Sequence, residues 1–211
     1  LLDEDDPARG RLGSLRFLGG WALSSNDPRY GGISAMHVEN GEVLALSDSG
    51  TLFRHVVPGS RREIALEVRP ILDGPGDPTV KSNRDTEAMA VSHDRIWIAF
   101  ERRNAVWRYA RDTLEAQASA MPAPMRLWYD NAGSEAMVRL PRGRFLILSE
   151  RSGRGDRFAE ALFFDGEPAG PRTKIAQLVC RGPDGYRATD AALLPDGRLL
   201  ILHRRFSYFA G

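Results

Sequence analysis

The sequence predicts an all-β chain arranged as a β-propeller of four-stranded blades, three of them complete and a fourth in part. Two observations lead there: a unit that recurs along the chain, and a hairpin of explicit turn chemistry inside each copy. Aligning Ser34, Glu87, Glu135 and Asp190 superposes Gly32-Ile33-Ser34-Ala35-Met36, Thr86-Glu87-Ala88-Met89-Ala90, Ser134-Glu135-Ala136-Met137-Val138 and Thr189-Asp190-Ala191-Ala192-Leu193, with periods of 53, 48 and 55 residues. That spacing suits four short antiparallel strands per unit.

Taken in order, each unit opens with one of these stretches, turns, and returns through an apolar run at 43–48, 96–101, 145–150 or 199–204. The turns are Asn40-Gly41, His93-Asp94, Arg142-Gly143 and Asp196-Gly197, and Asn-Gly and Asp-Gly favour the positive φ of tight hairpins. Third and fourth strands are expected at 51–57 and 63–68, at 105–109, and at 161–164 and 174–179. Segment 111–120 has some helical propensity but no sustained 3.6-residue apolar stripe. Units therefore start near residues 31, 84, 131 and 186 of a single domain spanning 1–211. Trp21, Trp97, Trp107 and Trp128 read as blade core, with Trp128-Tyr129 the pair expected to be partly exposed.

Too few residues follow His203 for two outer strands, so the expectation is a longer propeller whose carboxy-terminal blades are missing, leaving an unpaired blade edge. The alternative is closure with four blades, the amino-terminal runs 14–18 and 21–23 completing the last.

Composition narrows the function. The chain has 211 residues, 42% hydrophobic and 27% charged, which is ordinary for a folded globular protein. Lysine and arginine number 29 against 28 acidic residues, so net charge gives no reason to expect nucleic acid or an anionic membrane as partner. No apolar run is long enough for a spanning helix, and Leu1-Leu2-Asp3-Glu4-Asp5-Asp6 lacks the basic and apolar regions of a signal peptide. Cys180 is alone, which rules out an internal disulfide, and His37, His55, His93 and His203 show no zinc-binding spacing.

Several stretches resemble the phytase-like family, named for esterase-like activity: Gly31-Gly32-Ile33-Ser34 with Leu46-Ser47-Asp48-Ser49-Gly50, Arg84-Asp85-Thr86-Glu87-Ala88-Met89-Ala90, Asn131-Ala132-Gly133-Ser134-Glu135-Ala136-Met137, and 186–205 with Leu194-Pro195-Asp196-Gly197-Arg198. The resemblance implies a six-bladed propeller from bacterial proteins that are often exported, hence a periplasmic or secreted location.

The repeat itself places chemistry at one rim, because in an antiparallel hairpin the start of the first strand lies beside the end of the second. Pairing symmetric about each turn sets Asp190 opposite His203, Glu135 opposite Glu150, Glu87 opposite Phe100 and Ser34 opposite Ser47. Rotation from blade to blade then converges Glu87, Glu135 and Asp190 near the channel axis, with Asp48, Glu101 and Glu150 as a second set. Clustered carboxylates repel and raise one another's pKa unless a cation compensates them, and hard oxygen donors suit calcium. Glu87, Asn131, Glu135, Asp190 and Asp48 are the expected calcium ligands, and Glu87, Glu135 and Asp190 the expected catalytic residues. Lys81, Arg84, Arg102, Arg151, Arg204 and Arg205 are expected to bind an anionic substrate group, with Arg103, Arg154, Arg157 and Arg187 nearby. The bland reading is that acids and arginines merely neutralise one another.

Neither Ser34 nor Ser47 sits in a Gly-x-Ser-x-Gly elbow, which argues against a serine hydrolase. The Gly-rich loops 73–78 and 151–156 precede no amphipathic helix and read as mouth coverings. The functional expectation is a calcium-dependent hydrolase of phosphate esters or other small esters. A calcium-dependent lactonase and a non-catalytic binding propeller are the alternatives. The sequence leaves oligomeric state open.

Overall fold

The computed structural model describes residues 5–151, 158–170 and 172–205. A short hairpin, β1 (Arg11–Leu12) with β2 (Leu15–Arg16), stands apart from three four-stranded antiparallel sheets. Blade 1 runs β3 (Ile33–Glu39), β4 (Glu42–Ser47), β5 (Thr51–Val56) and β6 (Glu67–Pro70). Blade 2 is β7 (Thr86–Val91), β8 (Arg95–Phe100), β9 (Ala105–Ala110) and β10 (Ala116–Ala120). Blade 3 is β11 (Ser134–Leu140), β12 (Arg144–Ser149), β13 (Phe158–Phe164) and β14 (Ile175–Arg181), and β15 (Arg187–Leu193) with β16 (Leu199–Arg204) begins a fourth. The first strands stand side by side along the chain, β3 against β7, β7 against β11 and β11 against β15, so each blade meets the next as in a propeller. Strand β6 begins later than the expected 63–68, and β10 occupies the stretch whose propensity was mixed.

Burial follows from that stacking. Blades 2 and 3 are covered on both faces, so β8 and β12 are buried almost without interruption, whereas in β16 the burial alternates because one face alone is covered. Leu46, Leu52, Ile96, Ile98 and Phe100 fill the space between blades 1 and 2. Trp97, Met125, Trp128, Phe145 and Phe164 fill that between blades 2 and 3, and Leu148, Ala188 and Ile201 join blades 3 and 4. Each such side chain taken from water stabilises the fold by about 1.5–3 kcal/mol.

Two tryptophans depart from expectation. Trp21 is exposed and donates its indole N–H to the Gly59 carbonyl at 2.8 Å. Trp128 is buried, with its N–H on Glu160 Oε2 at 2.8 Å, and only its neighbour Tyr129 reaches solvent. The amino-terminal runs do not join β15 and β16, so they complete no fourth blade.

The hairpin turns form where the sequence places them. Asn40 and Gly41 both take positive φ (51° and 80°), as do Arg142 and Gly143. At 92–95 the turn is held instead by Ser92, whose hydroxyl donates to Asp94 and accepts from the Arg95 N–H. The register differs from simple symmetry. In every hairpin the pairing slips by one residue near the rim, leaving Ser34, Glu87, Glu135 and, in the last, Thr189 as the extra residue of a β-bulge. Thr86 rather than Glu87 faces Phe100, Ser134 rather than Glu135 pairs within the ladder, and Asp190 faces Leu202 rather than His203.

Candidate functional site at the acidic mouth

The bulges decide where the acids point. An extra residue bends the strand and re-aims its side chain, and here the bulged rims of successive blades border a cavity of about 840 Å³. Asp48, Glu87, Asn131, Glu135 and Asp190 all line it, as do Glu101 and Glu150 from the ends of β8 and β12. A main-chain bond repeats beneath each of the second-strand acids: Asp48 N–H donates to Gly32, Glu101 N–H to Asp85, and Glu150 N–H to Gly133, at 2.8–3.0 Å.

The tightest group is one that the sequence reading divided. Asp85, Glu87 and Glu101 each place a ligand atom within 4.8 Å of the others. Asp85 did not stand among the expected ligands, and Glu101 was assigned to the second set. The signal was available: Asp85 and Glu87 lie two apart at the strand start, and the Glu101 N–H is tied to the Asp85 carbonyl at 2.8 Å. Glu101 is 7% exposed and its Oε1 accepts the Gly133 N–H at 3.2 Å, so blade 3 braces a carboxylate of blade 2.

The electrostatics of the cluster follow from burial and like charge. Burial pushes Glu87 from 4.5 to about 8, with Glu101, Asp85 and Asp48 adding to the shift and Arg204 opposing it. Glu135 reaches about 8 by burial and the fields of Glu87, Glu150 and Glu101. Glu101 rises to about 7, again by burial first, against the Gly133 hydrogen bond. Burial raises Asp190 too, opposed by the Ala191 N–H. Such a site favours either a proton or a cation over bare negative charge.

The basic residues divide. Lys81 reaches Asp48 at 3.1 Å, and Arg102 donates to Asp85 at 2.7 Å. Arg204 lines the cavity 4.0 Å from Glu150, which Arg187 also meets at 3.5 Å. Arg84, expected to bind anions, is 4% exposed, and its guanidinium donates to the carbonyls of Leu72, Pro75 and Asn83. Those bonds fold the 72–84 loop around it, so its charge is committed to the main chain. Arg205 sits over the Tyr186 ring, 5.3 Å from its centroid, and Arg103 is held by Asn83 Oδ1. Arg151 is exposed, while Arg154 and Arg157 lie outside the described residues.

With the blades and rim in place, the comparison with known families becomes decisive: residues 28–211 match the model of the phytase-like family, described as esterase-like activity of phytase. The chain belongs to that family. A search of curated proteins finds no match. Among solved structures the chain is similar to the WD40 repeats of RRP9, at 12% identity and TM-score 0.44 over 81% of this chain and 50% of that one. It is similar also to glutaminyl cyclase from Myxococcus xanthus, at 10% identity and TM-score 0.45, covering 80% of this chain and 66% of that one. The extracellular domain of a one-component system protein from B. thetaiotaomicron matches at 12% identity and TM-score 0.47, over 86% of this chain and 26% of that one. This chain thus spans half of the RRP9 repeats and about a quarter of the B. thetaiotaomicron domain. Among the described residues no helix is long and apolar enough to cross a membrane.

Proposed function

We propose that this phytase-like protein is a calcium-dependent hydrolase of phosphate esters or other small esters, acting at the acidic mouth, in the periplasm or outside the cell. One observation carries the reading: carboxylates of blades 2 and 3 share one solvent-open cavity, where partial burial first and mutual repulsion second hold Glu87 and Glu135 near 8.

The donor set fits the ion. Calcium takes six to eight oxygens at about 2.3–2.6 Å, so two ligands of one ion lie up to about 5 Å apart. Asp85, Glu87 and Glu101 satisfy that span, with oxygens within 4.8 Å of one another. Glu135, Asp190, Asp48 and Asn131 line the same cavity as further donors. A cation bound there would polarise a phosphoryl or carbonyl oxygen and lower the pKa of a bound water. Glu87 and Glu135 give up their protons on binding, so uptake of calcium at pH 7 releases acid. Lys81, Arg102 and Arg204 stand at the edge of the mouth, with about half to two thirds of each side chain exposed, where each can turn from its carboxylate to the anionic group of an ester.

The test is hydrolysis of p-nitrophenyl phosphate, p-nitrophenyl acetate and a simple lactone, with calcium and after chelation. Turnover of a phosphate or carboxyl ester that stops with chelator, returns with calcium and is lost in Glu135→Gln supports the reading. Lactone turnover alone points to a lactonase. Absence of all turnover, with no proton release on adding calcium, leaves a binding propeller.

A further inference from the structure

A second cavity, of about 420 Å³, opens between blades 1 and 2 at the strand ends opposite the acidic mouth, beside the turns at 40–41, 93–94 and 111–114. Leu44 is the partly open apolar side chain of its lining, with Leu52, Ile96 and Leu114 nearly buried behind it. The repeat provides an internal control on what this space is for. Leu44 is paired with Arg54 in blade 1 as Trp97 is paired with Arg108 in blade 2, so the two pairs occupy equivalent positions.

Between blades 2 and 3 the Trp97 indole fills this position, 4% exposed and edge-on to Phe145 at 4.9 Å. Arg108 then seals the interface through Glu167 of the next blade at 2.5 Å. Between blades 1 and 2 neither element is present. Leucine replaces the indole, and Arg54 turns back onto its own blade, to Glu42 at 2.7 Å and Glu67 at 3.8 Å. The position that an indole fills in one interface carries a smaller leucine in its neighbour, at the wall of the cavity.

Most acids around the opening have an arginine: Glu39 has Arg111, Glu42 and Glu67 have Arg54, with Arg69 also on Glu67, and Asp94 has Arg95 at 3.2 Å. Burial holds the His37 imidazole below its ordinary range, so it adds no charge at neutral pH. Asp112 takes the Thr113 N–H at 2.9 Å and has no ion pair among the described residues. In blade 3 the corresponding turn supplies Glu167 to an arginine of the preceding blade; here Arg54 does not reach across to Asp112.

We propose that this cavity is a second binding site, for an aromatic amine whose planar ring lies against Leu44, at the register where blade 2 carries an indole, and whose cationic nitrogen meets Asp112. Its size falls within the roughly 300–1,000 Å³ of small-molecule sites. It lies at the far ends of the strands from the calcium reading and does not depend on it.

Tryptamine is the probe, with indole and indole-3-acetate as controls, titrated by calorimetry into the intact chain. Saturable binding is expected in the order tryptamine, indole, indole-3-acetate. Leu44→Trp restores the side chain that blade 2 carries at this register and should abolish binding without unfolding the protein, while Glu135→Gln should leave it unchanged. Asp112→Asn should weaken tryptamine by roughly two- to fivefold, the worth of a solvent-exposed ion pair, and leave indole alone. The proposal fails if tryptamine shows no saturation into the millimolar range, if folded Leu44→Trp binds like wild type, or if indole-3-acetate binds as well as tryptamine. Should Leu44→Trp lose its circular dichroism signature, Asp112→Asn decides: equal effects on tryptamine and indole overturn the assignment.

Discussion

Removing one charge at Glu135 should stabilise the metal-free protein in alkali and destabilise its response to calcium. Glu135 is held at about 8 against an ordinary 4.5, by burial and then by Glu87, Glu150 and Glu101. A carboxyl raised on folding is protonated in both states below pH 4.5, so it contributes no penalty there. As pH climbs from 4.5 to 8 the unfolded chain releases the proton and the folded one keeps it, and stability drains through that window. At about 1.4 kcal/mol per tenfold change in proton affinity the ceiling is ~5 kcal/mol. Solvent screening at an open mouth reduces this to ~1–2 kcal/mol. Glutamine keeps the shape and carries no charge, so chelated Glu135→Gln should match wild type near pH 4.5. At pH 8.5 it should melt higher by about 3–6 °C for a domain of this size. Differential scanning fluorimetry from pH 4.5 to 9, in chelator and in calcium, reads both arms. In calcium the order reverses, because a ligand at a hundredfold excess over its Kd adds about 2.7 kcal/mol to wild type and less to a protein lacking one donor. A Glu135→Gln melting temperature shifted equally at every pH, with or without calcium, would refute the electrostatic account and leave Glu135 a packing residue.

Two further outcomes follow from the rim. Gly32 has φ +57° and a Cβ built on it would lie 2.6 Å from Asp48 Oδ1, so Gly32→Ala should cost about 1–3 kcal/mol in denaturant unfolding and displace Asp48 from the mouth. Arg84→Ala removes a guanidinium that donates to three loop carbonyls, and should destabilise by roughly 2–4 kcal/mol while leaving the inhibition constant of phosphate or sulfate unchanged; an altered anion constant in a folded variant would return Arg84 to the site.

The blades were legible because their signals are local and repeated. Turn chemistry at 40–41 and 142–143 and the recurrence of Ala-Met after the bulge need no knowledge of partners. The family model agrees, over residues 28–211. Glu87 and Glu135 hold equal positions in successive blades and line one cavity, as rotation requires, whereas in the fourth unit that position is Thr189 and Asp190 lines the cavity from the next residue along. What symmetry hid was the bulge, which shifts register by one residue and has no composition of its own at Glu87 or Glu135. Arg84 was misread for a related reason. A loop arginine beside acids looks like an anion ligand until the 72–84 loop is seen to wrap its carbonyls around the guanidinium. Asp85 is two residues from Glu87 in the chain, but its approach to Glu101 is made across the hairpin, where spacing alone does not show it.

The bulge position shows how one repeated geometry divides between structure and chemistry. In blade 1 it carries Ser34, whose hydroxyl lies 3.2 Å from the Leu46 carbonyl and 2.6 Å from that of Thr86, tying blade 1 to blade 2. Thr86 returns the link by donating to the Ser47 carbonyl at 2.5 Å. These bonds fix the start of β7, the strand that bears Glu87. In blades 2 and 3 the same position carries a carboxylate, too long and too charged to satisfy a neighbour's carbonyl, so it turns to the channel. The neutral bulge of blade 1 therefore positions the acid of blade 2. Glu101, braced by the Gly133 N–H, does the same between blades 2 and 3. Glu101, so braced, stays close to Asp85 and Glu87, and protonation or a bound cation relieves the repulsion among them.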